Sequence, residues 1–569
     1  MLAAVVLVIS GVLSLPAILY AHRIPAPTNI LSAAVAIGFF GAIVTLVRRF
    51  WLQLAVGLPI LVLNVVEIVH ILIYGSLIAL GGLEAVLHAD PHEAREFVSD
   101  NPGVFLLGAS ALPGFVALVW LRHRLDDLRL RHRLALSGVM LTIPASALAV
   151  NLWLAGSDHE VYLPTRVVEH FVSHLGGNPL TQTISGLTTT FASRAELSKA
   201  REVRDRHRFN ARREGTPAAR ELYVVVIGES SRRRSWGIYG YARPTSPRIQ
   251  EIENVVAFTD AVSAATVTTP SVAMALTLAM PETMDLFYRT RSVVSAFREA
   301  GFRTYWLSNQ GAHRMVVGNE IALMMEEADV VRTSNFGSWT TIHDDKLLPL
   351  LDEAIRDAHP RKLIVIHTMG SHTNYRQRVP AGWALGPDAP AVRRAHGNGR
   401  ISDEQAAIVH DYDLTISYTD AFLHQVIERH RRDGSYGATI YFSDHGQRLY
   451  DDDDFHKGHG FRQLKPEDVE VPLLVWLSDA LVLRDPGRRA AIAANAGRSA
   501  STGRLADSLL DLAGIDIGEP LAERSFLNAA FRSEPRSVFM IDKSVVACCG
   551  RRTQEASITD RPAESLARH

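Results

Sequence analysis

Five apolar stretches crowd into the first 155 residues, at 2–21, 30–47, 52–80, 104–121 and 134–154, each long enough or nearly so to span a bilayer. A segment in hydrocarbon must satisfy its own backbone N–H and C=O groups, so this part of the chain is restricted to helices. The first stretch lacks the basic flank of a signal peptide and is followed by four more, so it reads as a span. Arg48 and Arg49 follow the second stretch, and Arg122, Arg124, Arg129, Arg131 and Arg133 follow the fourth. Between the third and fourth lie Glu84, Asp90, Glu93, Glu96 and Asp100, with Arg95 the only Lys or Arg. Basic loops stay in the cytoplasm. Five spans with a cytoplasmic N-terminus then put everything after about residue 155 outside; for a bacterial inner-membrane protein that is the periplasm.

The remaining residues have the mixed charge of a soluble protein, and 569 residues require at least two domains. A net charge of −1 argues against nucleic-acid binding. Cys548 and Cys549 are the only cysteines, and a bridge between neighbours closes no useful loop, so the exported part must stand on its own core. Residues 156–220 read as a partly helical connector, with Asn178-Pro179, a Ser/Thr-rich stretch (181–193) and a charged run (194–220). From Leu222 onward, apolar strands (222–227, 302–307, 363–367, 438–442, 471–477) alternate with helical patterns (293–300, 344–358, 403–432), the signature of an α/β sheet covered on both faces. Residues 221–545 are expected to form one catalytic domain and 546–569 a disordered tail.

Chemistry-bearing residues fall at the strand ends, where open α/β sheets place their sites. One strand runs into Ser443-Asp444-His445-Gly446, and the first soluble strand ends in Gly228-Glu229-Ser230. Glycine there permits a tight turn. Thr266-Val267-Thr268-Thr269-Pro270 leads into an apolar helix, so a threonine hydroxyl sits where free N–H groups favour an anion. Any of the three threonines is a candidate nucleophile once a metal lowers its pKa. A further strand ends in Thr368-Met369-Gly370-Ser371-His372, and His456 and His459 follow the tetrad. Asp and His together suit zinc. Single histidines and acidic turns are commonly structural; an acid, a hydroxyl, an Asp-His pair and more histidines at several strand ends are not. Asn64, Glu67 and His70 lie inside the third apolar stretch, where ionisable groups are functional candidates. The acidic run 451–454 reads as a solvated loop.

Gly228-Glu229-Ser230-Ser231-Arg232-Arg233, Tyr239-Gly240-Tyr241-Ala242-Arg243-Pro244-Thr245-Ser246-Pro247, Thr368-Met369-Gly370-Ser371-His372 and Ser443-Asp444-His445-Gly446, in this order, resemble the membrane-bound phosphoethanolamine transferases of the alkaline phosphatase/sulfatase superfamily. The likeness covers nearly the whole chain. It implies a five-helix membrane domain ahead of a sulfatase-like α/β domain, with a zinc ion held by Glu229, Asp444, His445 and the nucleophilic threonine. Ser271-Val272 in register points to Thr268, with Thr266 and Thr269 the alternatives. The resemblance also implies roles near the transferred phosphate, or at a second metal, for His372 and His459. It implies substrate contacts from Glu93, Asn309 and Arg314. The reaction it implies moves phosphoethanolamine from phosphatidylethanolamine to lipid A, a core sugar or another envelope glycan through a phosphothreonine intermediate. The runners-up are phosphoglycerol transfer to a periplasmic glucan and a non-catalytic envelope-binding relative.

Three departures stand out. Similar lipid-A enzymes carry several disulfides, where this chain has Ala264 and Met274 around the nucleophile. Gln447 replaces the usual Glu after Asp-His-Gly, and Ala85 and Ala89 replace an Asn and a Thr in the segment that retains Glu93. The Cys/Ser-x-Pro-x-Arg element of true sulfatases is absent.

Overall fold

The computed structural model describes residues 1–23, 27–74, 95, 98–99, 102–155, 197–215, 218–310, 320–334, 342–386, 392, 400–451 and 457–549. Glu93, Arg314, His456, residues 452–454, the end of the third apolar stretch, most of the connector and residues 550–569 lie outside the described residues.

The N-terminal part is helical, as apolar backbone in lipid requires. Its helices are Leu2–Leu13, Leu15–Arg23, Pro27–Leu46, Phe50–Tyr74, Pro102–Leu125 and Leu130–Ala155. Among the described residues two, Asn29–Leu46 and Phe50–Leu72, are long and apolar enough to cross a membrane. The first pair, bent by 69°, counts as a third if it is one span. Proline explains the bend: Pro16 has no N–H to give the Val12 carbonyl. Asn64 covers that deficit, its Nδ2 donating to Val12 O (3.3 Å) and Leu13 O (3.0 Å). Asn64 is therefore structural here.

The C-terminal part is built on a seven-stranded mixed sheet. In chain order its strands are β1 (Glu221–Gly228), β2 (Val255–Ala257), β3 (Arg303–Ser308), β4 (Val330–Thr333), β5 (Arg361–His367), β6 (Tyr436–Ser443) and β7 (Leu473–Leu477). Their spatial order is β2-β7-β6-β1-β5-β3-β4. β1 lies parallel to both β5 and β6, and β7 runs antiparallel to β6 and β2. Along β1, Leu222, Val224 and Val226 face one layer and Tyr223, Val225 and Ile227 the other, all buried. A strand apolar on both faces belongs in the middle of a covered sheet. Helices Thr268–Leu276 and Val293–Glu299 contribute Val272, Leu276, Val293 and Phe297 to one core. Helices Leu347–Arg356 and Asp403–Asp433 contribute Leu351, Val409, Ile416 and Val426 to the other. Each such side chain is worth roughly 1.5–3 kcal/mol of burial.

Val545–Cys548, at the start of the segment expected as a tail, pairs antiparallel with Arg536–Phe539, as a valine-rich run with a partner strand should. Cys548 and Cys549 are joined to each other.

Candidate active site

Because β1 sits between β5 and β6, the residues that follow these three strands meet at one edge. Glu229 follows β1, the Thr368–His372 turn follows β5, and Asp444 and His445 follow β6. The turn after β1 is made by Ser230, at φ 53°, while Gly228 continues the strand. Gly228 is needed for space instead: a Cβ there would stand 2.5 Å from the Tyr441 hydroxyl.

Glu229, Asp444 and His445 are all inaccessible to solvent. One ligand atom from each lies within 4.8 Å of the others. Asp444 Oδ1 accepts from the amides of Ser230 (2.9 Å) and His445 (2.7 Å), which fixes the carboxylate. Among the described residues Asp444 Oδ2 accepts no hydrogen bond from a protein donor, and it stands 3.3 Å from His445 Nε2. His445 Nδ1 donates to the Gly446 carbonyl at 2.8 Å, which leaves Nε2 as the ring nitrogen turned to the two carboxylates and the one free to ligate a metal. Two oxygens and an imidazole nitrogen, one oxygen orphaned in a dry site, form a donor set that fits zinc.

The charges are interdependent. Burial works against ionising Glu229, but hydrogen bonding and attraction from His445, with His372 and His459 behind it, hold its carboxyl well below the usual range. Burial and the Glu229 charge push Asp444 the other way, upward. Burial also disfavours the His445 cation, yet the two carboxylates outweigh it and raise its pKa. Two buried carboxylates sharing one imidazole are short of positive charge, a shortage a divalent cation would relieve.

Thr268 opens its helix at the same place. Its Oγ1 is 3.3 Å from Glu229 Oε2 and 3.3 Å from His445 Nε2, and the residue is only half-buried. Thr266 is fully buried, its hydroxyl without a protein partner and its amide donating to Phe539 O. Ser271, one turn along, donates its hydroxyl to the Asp444 carbonyl and locks the helix onto the tetrad.

The β5 turn is pressed against Glu229. Gly370 adopts φ 46°, and a Cβ on it would lie 2.9 Å from the Glu229 nitrogen. Ser371 N donates to Glu229 O at 2.9 Å. Asp344 clamps the turn by accepting from the amides of Met369 (2.8 Å) and Gly370 (2.9 Å). His372 follows, half-buried, close enough for its charge to act on Glu229. His459 lies against His445, ring centroids 3.9 Å apart, and its Nδ1 is 2.9 Å from Gln447 Oε1.

Asn309, expected as a substrate contact, lies beneath the β5 turn. It is fully buried, its Nδ2 donating to Asp344 Oδ1 (2.8 Å) and Ile342 O (2.9 Å) and its Oδ1 accepting from Ser334 Oγ (2.8 Å). With every polar atom engaged, it supports the clamp. Gln310 reaches the site instead, its Nε2 2.7 Å from Thr368 O and 3.5 Å from Glu229 Oε2. Its position right after β3 was the available signal.

Comparison with known proteins agrees with this layout. Phosphoethanolamine transferase EptC of Escherichia coli O18:K1:H7 is 24% identical over 497 residues, covering 84% of this chain and 83% of that protein. The C-terminal periplasmic domain of Escherichia coli EptC, solved in complex with Zn, matches with TM-score 0.53 and 25% identity over 59% of this chain and 95% of its own. The integral membrane lipooligosaccharide phosphoethanolamine transferase A of Neisseria meningitidis matches with TM-score 0.68 over 93% of this chain and 99% of its own, at 17% identity, a likeness of fold. The sulfatase family model matches residues 221–515, over half of the chain and the whole sheet with its site, so this chain belongs to the sulfatase family.

Proposed function

We propose that this chain transfers phosphoethanolamine from phosphatidylethanolamine to a lipid A, core-sugar or other envelope glycan acceptor outside the bacterial inner membrane. The observation that carries the reading is the Thr268 hydroxyl, 3.3 Å from both Glu229 and His445 at a helix N-terminus beside the orphaned Asp444 oxygen. The names of the EptC relatives support the choice of transferred group. The missing Cys/Ser-x-Pro-x-Arg element argues against sulfate ester hydrolysis.

Glu229, Asp444, His445 and Thr268 would hold one zinc ion, which supplies Lewis acidity and lowers the pKa of the threonine hydroxyl. Thr268 Oγ gives up its proton to His372 or His459 and attacks the donor phosphorus, forming a Thr–O–P bond as the bond to the diacylglycerol oxygen breaks. The same histidine passes that proton to the leaving oxygen. An acceptor hydroxyl or phosphate then attacks the same phosphorus, loses its proton to the histidine and frees Thr268. Amides at the start of the helix stabilise the equatorial oxygens. Five membrane spans, with the catalytic domain periplasmic, bring this site to the bilayer surface where a lipid donor is met.

Mass spectrometry of envelope lipids and glycans from cells expressing wild type or Thr268→Ala tests the reading. A phosphoethanolamine increment present with wild type and lost in the variant is expected. An increment that survives in Thr268→Ala and vanishes in Thr266→Ala moves the nucleophile. No increment on any fraction refutes the transferase.

A further inference from the structure

The hairpin of Arg536–Phe539 and Val545–Cys548 comes after every strand of the main sheet, yet it bears on the catalytic edge. Phe539 forms a parallel bridge with Ala265: its N–H donates to Ala264 O (2.9 Å) and its carbonyl accepts from the Thr266 amide (3.2 Å). Arg536, its side chain buried, clips the base of the hairpin to the start of the same segment. Its Nη1 donates to Asp260 Oδ1 (2.7 Å) and Asp260 O (3.0 Å), and its Nη2 to Cys549 O (2.6 Å). Val538, Met540 and Cys548 pack with Val262 and Val469. Ile541 stands in the turn, which the Met540 N–H closes onto Ser544 O (2.8 Å). A Cβ on Gly460 would lie 3.1 Å from Ile541 Cδ1 and 3.0 Å from Val267 Cγ1, so both side chains close over the same glycine. Gly460 directly follows His459, and Val267 directly precedes Thr268.

We propose that this hairpin is a positioning element of the active site, with Ile541 the wedge that sets the Thr268 segment against the loop carrying His459. It rests on the transferase reading above, in which Thr268 is the nucleophile. The first turn of a helix is commonly fixed by a Ser, Thr, Asp or Asn side chain at the N-cap. Val267 holds that place and makes no such bond. The chain ahead of it is held instead by groups distant in sequence: Ser263 N by Val469 O (2.8 Å), Ala264 N by Thr502 Oγ1 (3.2 Å) and Thr266 N by Phe539 O. The last anchor before Thr268 thus comes from the hairpin, and Ile541 adds the packing beside Val267 and Gly460. A close-packed interior transmits small shifts, and a displacement of about 1 Å at a reacting group can cost on the order of 10²-fold in rate. Glu229, Asp444 and His445 are set by β1 and β6, so removing the wedge leaves the metal-binding residues in place. Ile541 is therefore a positioning residue acting through Val267 and Gly460.

The test compares Ile541→Ala with Ile541→Leu, which keeps volume and reach, in the full-length chain in detergent. Two readouts are taken: amide hydrogen exchange across residues 264–268 by mass spectrometry, and diacylglycerol released from phosphatidylethanolamine. Ile541→Ala is expected to speed exchange across 264–268 and to lower kcat about tenfold or more, with KM and zinc content little changed. Ile541→Leu is expected to keep kcat within about threefold of wild type. If Ile541→Ala melts far below wild type, Ile541→Val, which removes only the Cδ1 methyl, is expected to shift exchange and kcat in the same direction by a smaller factor. Unchanged exchange or unchanged kcat in the truncated variants overturns the wedge. So does a rate loss matched by a loss of zinc, or an equal loss in Ile541→Leu. Absence of diacylglycerol release from wild type would count against the transferase reading, while exchange across 264–268 still decides the wedge.

Discussion

The two halves of the molecule bury polar side chains in opposite ways. In the membrane half, several buried side chains are donors that close helix ends. Arg122 Nη2 and Arg133 Nη1 both reach the Thr45 carbonyl (3.2 and 3.3 Å), Gln53 Nε2 reaches Val44 O and Val47 O (both 2.8 Å), and Asn64 covers the bend beside Pro16. These carbonyls lie at helix ends or breaks, where the backbone has no intrahelical donor. Asp126 pairs with Arg122 (2.8 Å) and with Arg133, so the one acidic group of this cluster lies between two cations. In the catalytic half, two buried carboxylates converge on each other with one imidazole between them. Matched donors and acceptors make architecture; clustered acceptors in excess make a place for a cation.

Thr268→Ala should sharpen this contrast most. Loss of the nucleophile is expected to reduce transfer by about 10³-fold or more, some 4 kcal/mol, while the melting temperature moves little. Arg122→Met should do the reverse, leaving Asp126 with one buried partner and costing about 3–5 kcal/mol of stability. Thermal unfolding in detergent, with transfer measured below the transition, separates the two. A membrane-half variant that lost transfer before stability would erase the distinction.

Metal titration probes the surplus itself. A cation bound by the native state alone stabilises by about 2.7 kcal/mol at a hundredfold excess over Kd. Wild type should therefore melt higher with added zinc and lower after chelation. Asp444→Asn removes one of two repelling carboxylates, so its metal-free form should melt at or above metal-free wild type while losing most of the zinc-dependent gain. If the variant kept the full gain, Asp444 would not be a ligand.

Much of this was legible in the sequence because it is local. Strands buried on both faces announce themselves by unbroken apolar runs, and the strand-end rule found Glu229, the Gly-Ser-His turn and the Asp-His pair. β2 and β4 were not found: three and four residues long, half-buried at the sheet edges, they carry no pattern of their own. What failed was information held by distant partners. Asn309 stands at the expected edge, yet Ser334 and Asp344, far along the chain, absorb its amide, and its neighbour Gln310 turns to Glu229 instead. Choosing Thr268 over Thr266 likewise depends on where Glu229 and His445 arrive in space.

His430 puts the comparison to the test, because it is a titratable buried group with an orphaned atom in the catalytic half. His430 is fully buried, its Nδ1 3.0 Å from Thr439 Oγ1 and its Nε2 without a protein partner. Among the described residues it joins no cluster of metal-ligating groups, and burial drives its pKa down to about 3, with Asp433 opposing only weakly. It is a structural histidine, and linkage makes that measurable. The unfolded chain takes up the proton near pH 6.5, whereas the folded chain resists until about pH 3. Its contribution to stability is thus intact above pH 6.5 and is lost progressively as pH falls toward 3. Between pH 7 and pH 5 the loss from this residue alone is about 2 kcal/mol. His430→Leu, which nearly preserves volume, should flatten the fall in melting temperature between pH 7 and pH 5 and leave zinc-dependent stabilisation and transfer unchanged. A variant with the full acid sensitivity would mean that His430 is protonated in the fold, and one with altered zinc response would mean that a lone orphan nitrogen can couple to the site.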